Sequence, residues 1–246
     1  MKDFERIVCK DIPELSAQAA VEFVRLANER SAAAGRFAVA LSGGSTPRAL
    51  YSLLADAEFQ SQVPWDRVLF FWGDERCVPP DHPDSNYRMA FESLLSKVPV
   101  PEENIHRIEG EEKPEIAAAK YEKAIRDFFQ LADSELPRFD LILLGLGDDG
   151  HTASLFPGSE ALQETSRLAV ATYVEKLKSH RVTLTLPVLN HAANIFFLVA
   201  GENKTGILKD VLQRESSKSL PARQIHPLNG RLVWFVDRAA DASLQS

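Results

Sequence analysis

Cysteine is scarce in this chain, with Cys9 and Cys77 its only two. They supply neither a disulfide framework nor a zinc ligand set, so a reduced, cytoplasmic setting is expected. Long apolar runs are missing too: none approaches the roughly 20 residues needed to span a bilayer, and no membrane partner is expected. The first eight residues alternate charge and apolarity, without the apolar stretch of a signal peptide. Positive charge is in deficit, with 28 Lys and Arg against 35 Asp and Glu, a formal net charge of -7. Nucleic acid, normally met by a basic surface, is therefore an unsuitable partner. An anionic small molecule would have to be held by a few local cations. His82, His106, His180 and His191 show no metal-ligand spacing and His226 adds nothing to such a cluster, so no metal is expected. Repeats, low-complexity tracts and Gly/Ser linkers are also absent. Residues 1–246 are accordingly read as a single domain.

What the chain does have is alternation of strands and helices. Residues 14–33 place Leu15, Ala19, Phe23 and Leu26 on one helical face. Residues 37–41 read as a buried strand, followed by a helix from Thr46 to Leu54, with Thr46 as N-cap and Pro47 in the first helical position. A second strand is expected at 68–72 and a helix around 87–95, capped by Asp84 or Ser85. Ala117, Tyr121, Ala124, Ile125 and Phe128 share a face of a helix over 115–131. Further strands are expected at 139–144, 168–174, 182–186, 195–200 and 232–236, with a helix near 203–213. Continuous apolar strands separated by amphipathic helices imply an α/β fold, a Rossmann-like, mostly parallel sheet with helices on both faces. In such folds ligands sit at the carboxyl ends of the strands. The motifs with chemistry in them all fall there.

The first is Ser42-Gly43-Gly44-Ser45-Thr46-Pro47, between a strand and a helix. It is either a plain tight turn or an anion site in which Gly43, Gly44, Ser45 and Thr46 offer backbone N–H groups at a helix N-terminus. No Gly-Lys-Ser/Thr follows, so it is not a Walker loop, and a single phosphate group suits it better. Asp74 and Arg76 end the next strand, either as an internal ion pair or projecting into the same cleft. The third motif, Gly145 to Pro157, matches the dinucleotide pattern at Gly145, Gly147 and Gly150. Asp148 and Asp149 would repel a pyrophosphate at a helix N-terminus, which disfavours a nicotinamide oxidoreductase. Asp149 lies two residues before His151 and can fix its tautomer, leaving the other ring nitrogen as a general base. Ser154 lacks the Gly-x-Ser-x-Gly elbow of a nucleophile, so attack by water is simpler than an acyl-enzyme. Arg181 and Lys204 are either solvated charges or, with the glycine loop, a phosphate clamp.

Ser42 to Pro47, Trp72-Gly73-Asp74-Glu75-Arg76, Gly145 to Pro157 and Arg181-Val182-Thr183-Leu184-Thr185, with the closing Leu232 to Asp237, resemble in order the glucosamine-6-phosphate isomerase/6-phosphogluconolactonase family over nearly the whole chain. In the deaminase and isomerase branch the segment after the histidine reads Ala-Phe-Asn-Glu-Pro. Here it is Ala153-Ser154-Leu155-Phe156-Pro157, the lactonase version. The resemblance implies the glucosamine-6-phosphate isomerase type of Rossmann-like fold and hydrolysis of 6-phosphogluconolactone in the pentose phosphate pathway, without metal or organic cofactor. It further implies His151 as general base, Asp149 as its partner, and Asp74 positioning water or a hydroxyl. Gly43, Gly44, Ser45, Thr46, Arg181 and Lys204 would hold the 6-phosphate, and Arg76 or backbone N–H groups would stabilise the oxyanion. The other readings are an amino-sugar-phosphate deaminase or isomerase and a non-catalytic sugar-phosphate sensor. A monomer or weak homodimer is expected.

Overall fold

The structure, a computed structural model, describes residues 4–213 and 220–244. Met1, Lys2 and Asp3, part of the N-terminal stretch considered above, lie outside them. Six strands form the main sheet: β1 (Glu5–Cys9), β2 (Phe37–Leu41), β3 (Val68–Trp72), β5 (Leu141–Leu144), β8 (Asn194–Val199) and β9 (Arg231–Asp237). Their order is β1-β9-β8-β5-β2-β3, and every neighbouring pair is parallel. All five side chains of β2 and all four of β5 are buried. Successive side chains point to opposite faces, so both faces of the sheet are covered there. The helices are α1 (Ile12–Ala34), α2 (Ser45–Leu54), α3 (Ala57–Gln60), α4 (Asn86–Ala90), α5 (Pro114–Phe129), α6 (Leu186–Asn190), α7 (Thr205–Leu212) and α8 (Arg238–Asp241). None among the described residues is long and apolar enough to cross a membrane.

The expected helix over 14–33 is α1, which buries Leu15, Ala19, Phe23 and Leu26. Asp11 caps its start by accepting from the Glu14 N–H, and Gly35 ends it at φ 75°. The start of α2 differs from expectation. Gly44, not Thr46, is the N-cap, and Ser45, Thr46 and Pro47 form the first turn. Proline is tolerated there because that turn uses no N–H of its own. The expected helix at 87–95 is α4, capped by Ser85, continued by a π-helical turn over Phe91–Leu95. Around 203–213 a 3-10 turn, Glu202–Lys204, precedes α7.

The strands expected at 168–174 and 182–186 are not in the parallel sheet. They are β6 (Ala169–Val174) and β7 (Ser179–Leu184), which join β4 (Asp74–Arg76) in an antiparallel sheet of order β4-β7-β6. Arg181, one residue ahead of the expected strand, thus lies inside β7, and Thr185 falls outside it, as the residue before α6.

Chain connectivity places the site. From β2 the chain passes to β3 at one side, and the next strand of this sheet, β5, lies on the other side of β2. That reversal opens a crevice between the carboxyl ends of β2 and β5, where both glycine loops emerge. Two buried tyrosines fix the strand ends beside it. Tyr51 Oη accepts from the Ser42 N–H at 3.0 Å and donates to the Ser42 carbonyl at 2.9 Å. Tyr121 Oη does the same for Trp72, at 2.8 and 2.7 Å. Removing the first hydroxyl strands both Ser42 groups without solvent. Tyr51→Phe should therefore destabilise the fold by about 1–3 kcal/mol, read as a lower urea midpoint at unchanged slope.

Candidate active site

A cavity of about 440 Å³ opens at the carboxyl ends of the parallel strands. Gly43, Gly44, Ser45 and Thr46 enter it from the loop after β2, Asp74 and Arg76 from β4, and His151 from the loop after β5. Arg181 reaches it from β7, and Lys204 from the turn after β8. Of the catalytic and substrate-binding residues expected from the sequence, only Asp149 does not line it; it lies behind His151, against Nδ1.

The histidine loop is a closed turn. The Gly147 N–H donates to the His151 carbonyl at 2.9 Å, and the Gly150 N–H to the Gly147 carbonyl at 3.0 Å. Thr152 Oγ1 ties its far side to the Gly145 carbonyl at 2.9 Å. No helix follows; residues 145–159 hold only the isolated bridge between Thr152 and Leu155. A dinucleotide loop needs that helix, so the pattern at Gly145, Gly147 and Gly150 has another purpose. A Cβ on Gly147 would lie 2.0 Å from His151 Cε1 and Nδ1, so the glycine makes room for the ring.

His151 Nδ1 lies 2.5 Å from Asp149 Oδ1, and the His151 N–H reaches the same oxygen at 3.2 Å. Phe156 stacks on the imidazole, with centroids 4.1 Å apart and planes at 23°. Burial works to raise the Asp149 carboxyl, but hydrogen bonds from His151, with the His151 and Lys176 charges, hold it below the ordinary carboxylate range. An ionised carboxylate can only accept, so Nδ1 carries a proton toward Asp149, and Nε2 is the ring nitrogen left for other chemistry.

Asp74 is buried and makes no ion pair with Arg76. Its Oδ2 accepts from Ser154 Oγ at 2.6 Å and its Oδ1 from Asn86 Nδ2 at 3.3 Å. The Ser154 hydroxyl proton is therefore committed to a carboxylate. Asn86 also donates to the Asp74 carbonyl at 2.8 Å, and its Oδ1 occupies the place a Gly43 side chain would take, 2.0 Å from that Cβ. Glu75 fixes the asparagine by accepting from the Asn86 and Tyr87 N–H groups, both at 2.7 Å. Burial pushes the Glu75 carboxyl above its ordinary range. Asn86 was not anticipated. In sequence it reads as a helix start, and only the packing of α4 against β4 brings it to the cavity.

The cationic side of the cavity is built from Arg76 and Arg181, opposite one another in the β4–β7 register. Arg76 Nη1 donates to the Asp84 carbonyl at 2.6 Å. The Nε atoms of both arginines are buried without partners. Burial, and then the Arg76 charge, pull the Arg181 guanidinium below its ordinary pKa, yet it stays charged at neutral pH. Two adjacent guanidiniums with unused donors favour an anion between them and the N-terminus of α2. Lys204 lines the same cavity but is already engaged by Asp148. Lys176, also unanticipated, lies 3.4 Å from Asp149 Oδ2. Among the described residues no group of three or more His, Cys, Asp or Glu is placed to hold a metal ion.

The family described as glucosamine-6-phosphate isomerases/6-phosphogluconolactonase matches residues 10–234. A protein named 6-phosphogluconolactonase from a Nostoc species is 47% identical over 212 residues, covering 85% of each chain. One of the same name from a Synechocystis species is 45% identical over 213 residues, covering 86% of each. The solved 6-phosphogluconolactonase from Trypanosoma cruzi superposes with a TM-score of 0.89 at 30% identity, over 100% of this chain and 98% of that one.

Proposed function

The chain belongs to the glucosamine-6-phosphate isomerase/6-phosphogluconolactonase family, and from that premise we propose that it hydrolyses 6-phospho-D-glucono-1,5-lactone to 6-phospho-D-gluconate, a step of the oxidative pentose phosphate pathway. The observation that carries this reading is the surroundings of His151. One ring nitrogen is held by Asp149, and the apolar ring of Phe156 lies on the imidazole. The deaminase branch has a glutamate at the position of Phe156. A base with no second carboxylate against it suits water activation at an ester carbonyl.

In the proposed reaction His151 Nε2 takes a proton from water as the oxygen attacks the lactone carbonyl carbon. The tetrahedral intermediate collapses by breaking the bond from that carbon to the ring oxygen. Protonated His151 then gives its proton to the departing oxygen, which becomes the sugar hydroxyl. Asp149 keeps the ring oriented and stabilises the imidazolium. Asp74, fixed by Ser154 and Asn86, is positioned to accept from water or a ring hydroxyl. The first turn of α2, Arg181 and Lys204 hold the 6-phosphate, and Arg76, beside Arg181, shares that end of the substrate.

The direct test is proton release on ring opening of fresh 6-phosphogluconolactone, with glucosamine 6-phosphate assayed alongside. Turnover of the lactone alone is expected. Turnover of the amino sugar would move the chain to the deaminase branch, and binding without turnover would support the sensor. A charged hydrogen bond contributes about 1.5–3 kcal/mol, so Arg181→Ala should raise KM by roughly 10- to 100-fold with a much smaller change in kcat. A pure kcat effect would place Arg181 at the reacting carbonyl instead.

A further inference from the structure

We infer that Asp148 is a specificity-determining residue of this site: a carboxylate in the histidine loop that competes with the substrate's phosphate for Lys204. The inference rests on the proposed role of Lys204 in holding that phosphate. The Lys204 side chain is mostly withdrawn into the cavity, 21% exposed, and its ammonium pairs with Asp148 Oδ1. Asn203 Nδ2 lies 3.5 Å from the same oxygen. Asp148 is itself 67% exposed. It can swing into water at little cost, whereas Lys204 remains in the cavity facing whatever anion enters.

This arrangement sorts ligands by charge. A phosphate dianion, also drawn by Arg76, Arg181 and the N-terminus of α2, displaces one exposed carboxylate from the lysine. A neutral ligand does not compete for the ammonium, and a singly charged one displaces the carboxylate less well and leaves Asp148 in the cavity wall as a repelling charge. An unphosphorylated lactone therefore meets a closed Asp148–Lys204 pair. The phosphorylated product leaves more readily because Asp148 is at hand to take the ammonium back.

The test is titration calorimetry of inorganic phosphate into the full-length protein. Asp148→Asn keeps the shape and removes the competing charge, and should bind phosphate roughly 3- to 10-fold more tightly than the unsubstituted protein. Asp148→Glu should return the affinity toward the original value. In a Lys204→Ala background, adding Asp148→Asn should change phosphate affinity by less than about twofold, because the contested group is gone. Equal or weaker binding by Asp148→Asn overturns the inference. So does the same tightening in both backgrounds, which would mark a general field effect rather than competition for Lys204. If Lys204→Ala alone leaves phosphate affinity unchanged, the phosphate role of Lys204 fails as well. That outcome is distinct from failure of the Asp148 inference alone, in which Lys204→Ala weakens binding and Asp148→Asn does not tighten it.

Discussion

His151→Asn should lower kcat for lactone hydrolysis by roughly 10²–10⁴-fold, the range that a positioned general base contributes. Asparagine keeps a polar side chain in the turn, but it has no basic nitrogen to take the proton of attacking water. A δ-lactone also opens slowly in water alone, so the variant's rate must be taken above that background. The phosphate end of the site should be untouched, and inorganic phosphate should bind as before. The pH dependence has a definite sign. Hydrogen bonds and nearby charges hold Asp149 below the ordinary carboxylate range, so it stays ionised and keeps its hold on the ring until pH falls to that range. A general base is inactive once it has taken up a proton, so activity should drop on the acid side, and that limb should vanish from the residual rate of His151→Asn. A variant within about tenfold of the original enzyme, with the acid limb intact, would place the base elsewhere.

The continuous apolar runs Phe37–Leu41 and Leu141–Leu144 were legible as strands because burial on both faces leaves no polar position in them. β1 (Glu5–Cys9) escaped notice for the opposite reason: it lies at the edge of the sheet, and its Glu5 and Arg6 are exposed. β4 is only Asp74-Glu75-Arg76, too short and too polar for any periodicity to register. The alternation in Arg181-Val182-Thr183-Leu184 was visible and is the pattern of a half-buried antiparallel strand, yet nothing local says which sheet such a strand joins. The site shows the same division. Gly43, Gly44, Asp149 and His151 could be found because each lies within a few residues of the group it serves. Asn86 lies 12 positions from the Asp74 carboxylate it contacts, and Lys204 lies 56 positions from Asp148. Those pairings are products of the tertiary fold, and the residues carry no spacing by which to recognise them.

A single methyl group on Gly147 should cost about as much activity as the loss of a substrate-positioning group, on the order of 10²-fold in kcat. Gly147 is not among the glycines at positive φ, so alanine is acceptable to its backbone. The obstacle is the imidazole: the added Cβ would lie 2.0 Å from His151 Cε1 and Nδ1, well inside contact distance. The ring has little freedom to yield. Asp149 holds Nδ1 at 2.5 Å and Phe156 covers its face at 4.1 Å. Relief of the overlap must break one of these contacts or shift the turn closed by the Gly147 N–H and the His151 carbonyl. Either way Nε2 leaves the position that the proposed mechanism requires of it, and a displacement of about 1 Å is enough for a 10²-fold loss. Lys204, Arg181 and the first turn of α2 belong to other elements, so phosphate affinity should change little. Gly147→Ala should thus separate binding from catalysis, keeping cooperative unfolding and phosphate binding while kcat falls. A variant with ordinary kcat would mean that the imidazole is free to move in the turn, and that Asp149 does not set its position.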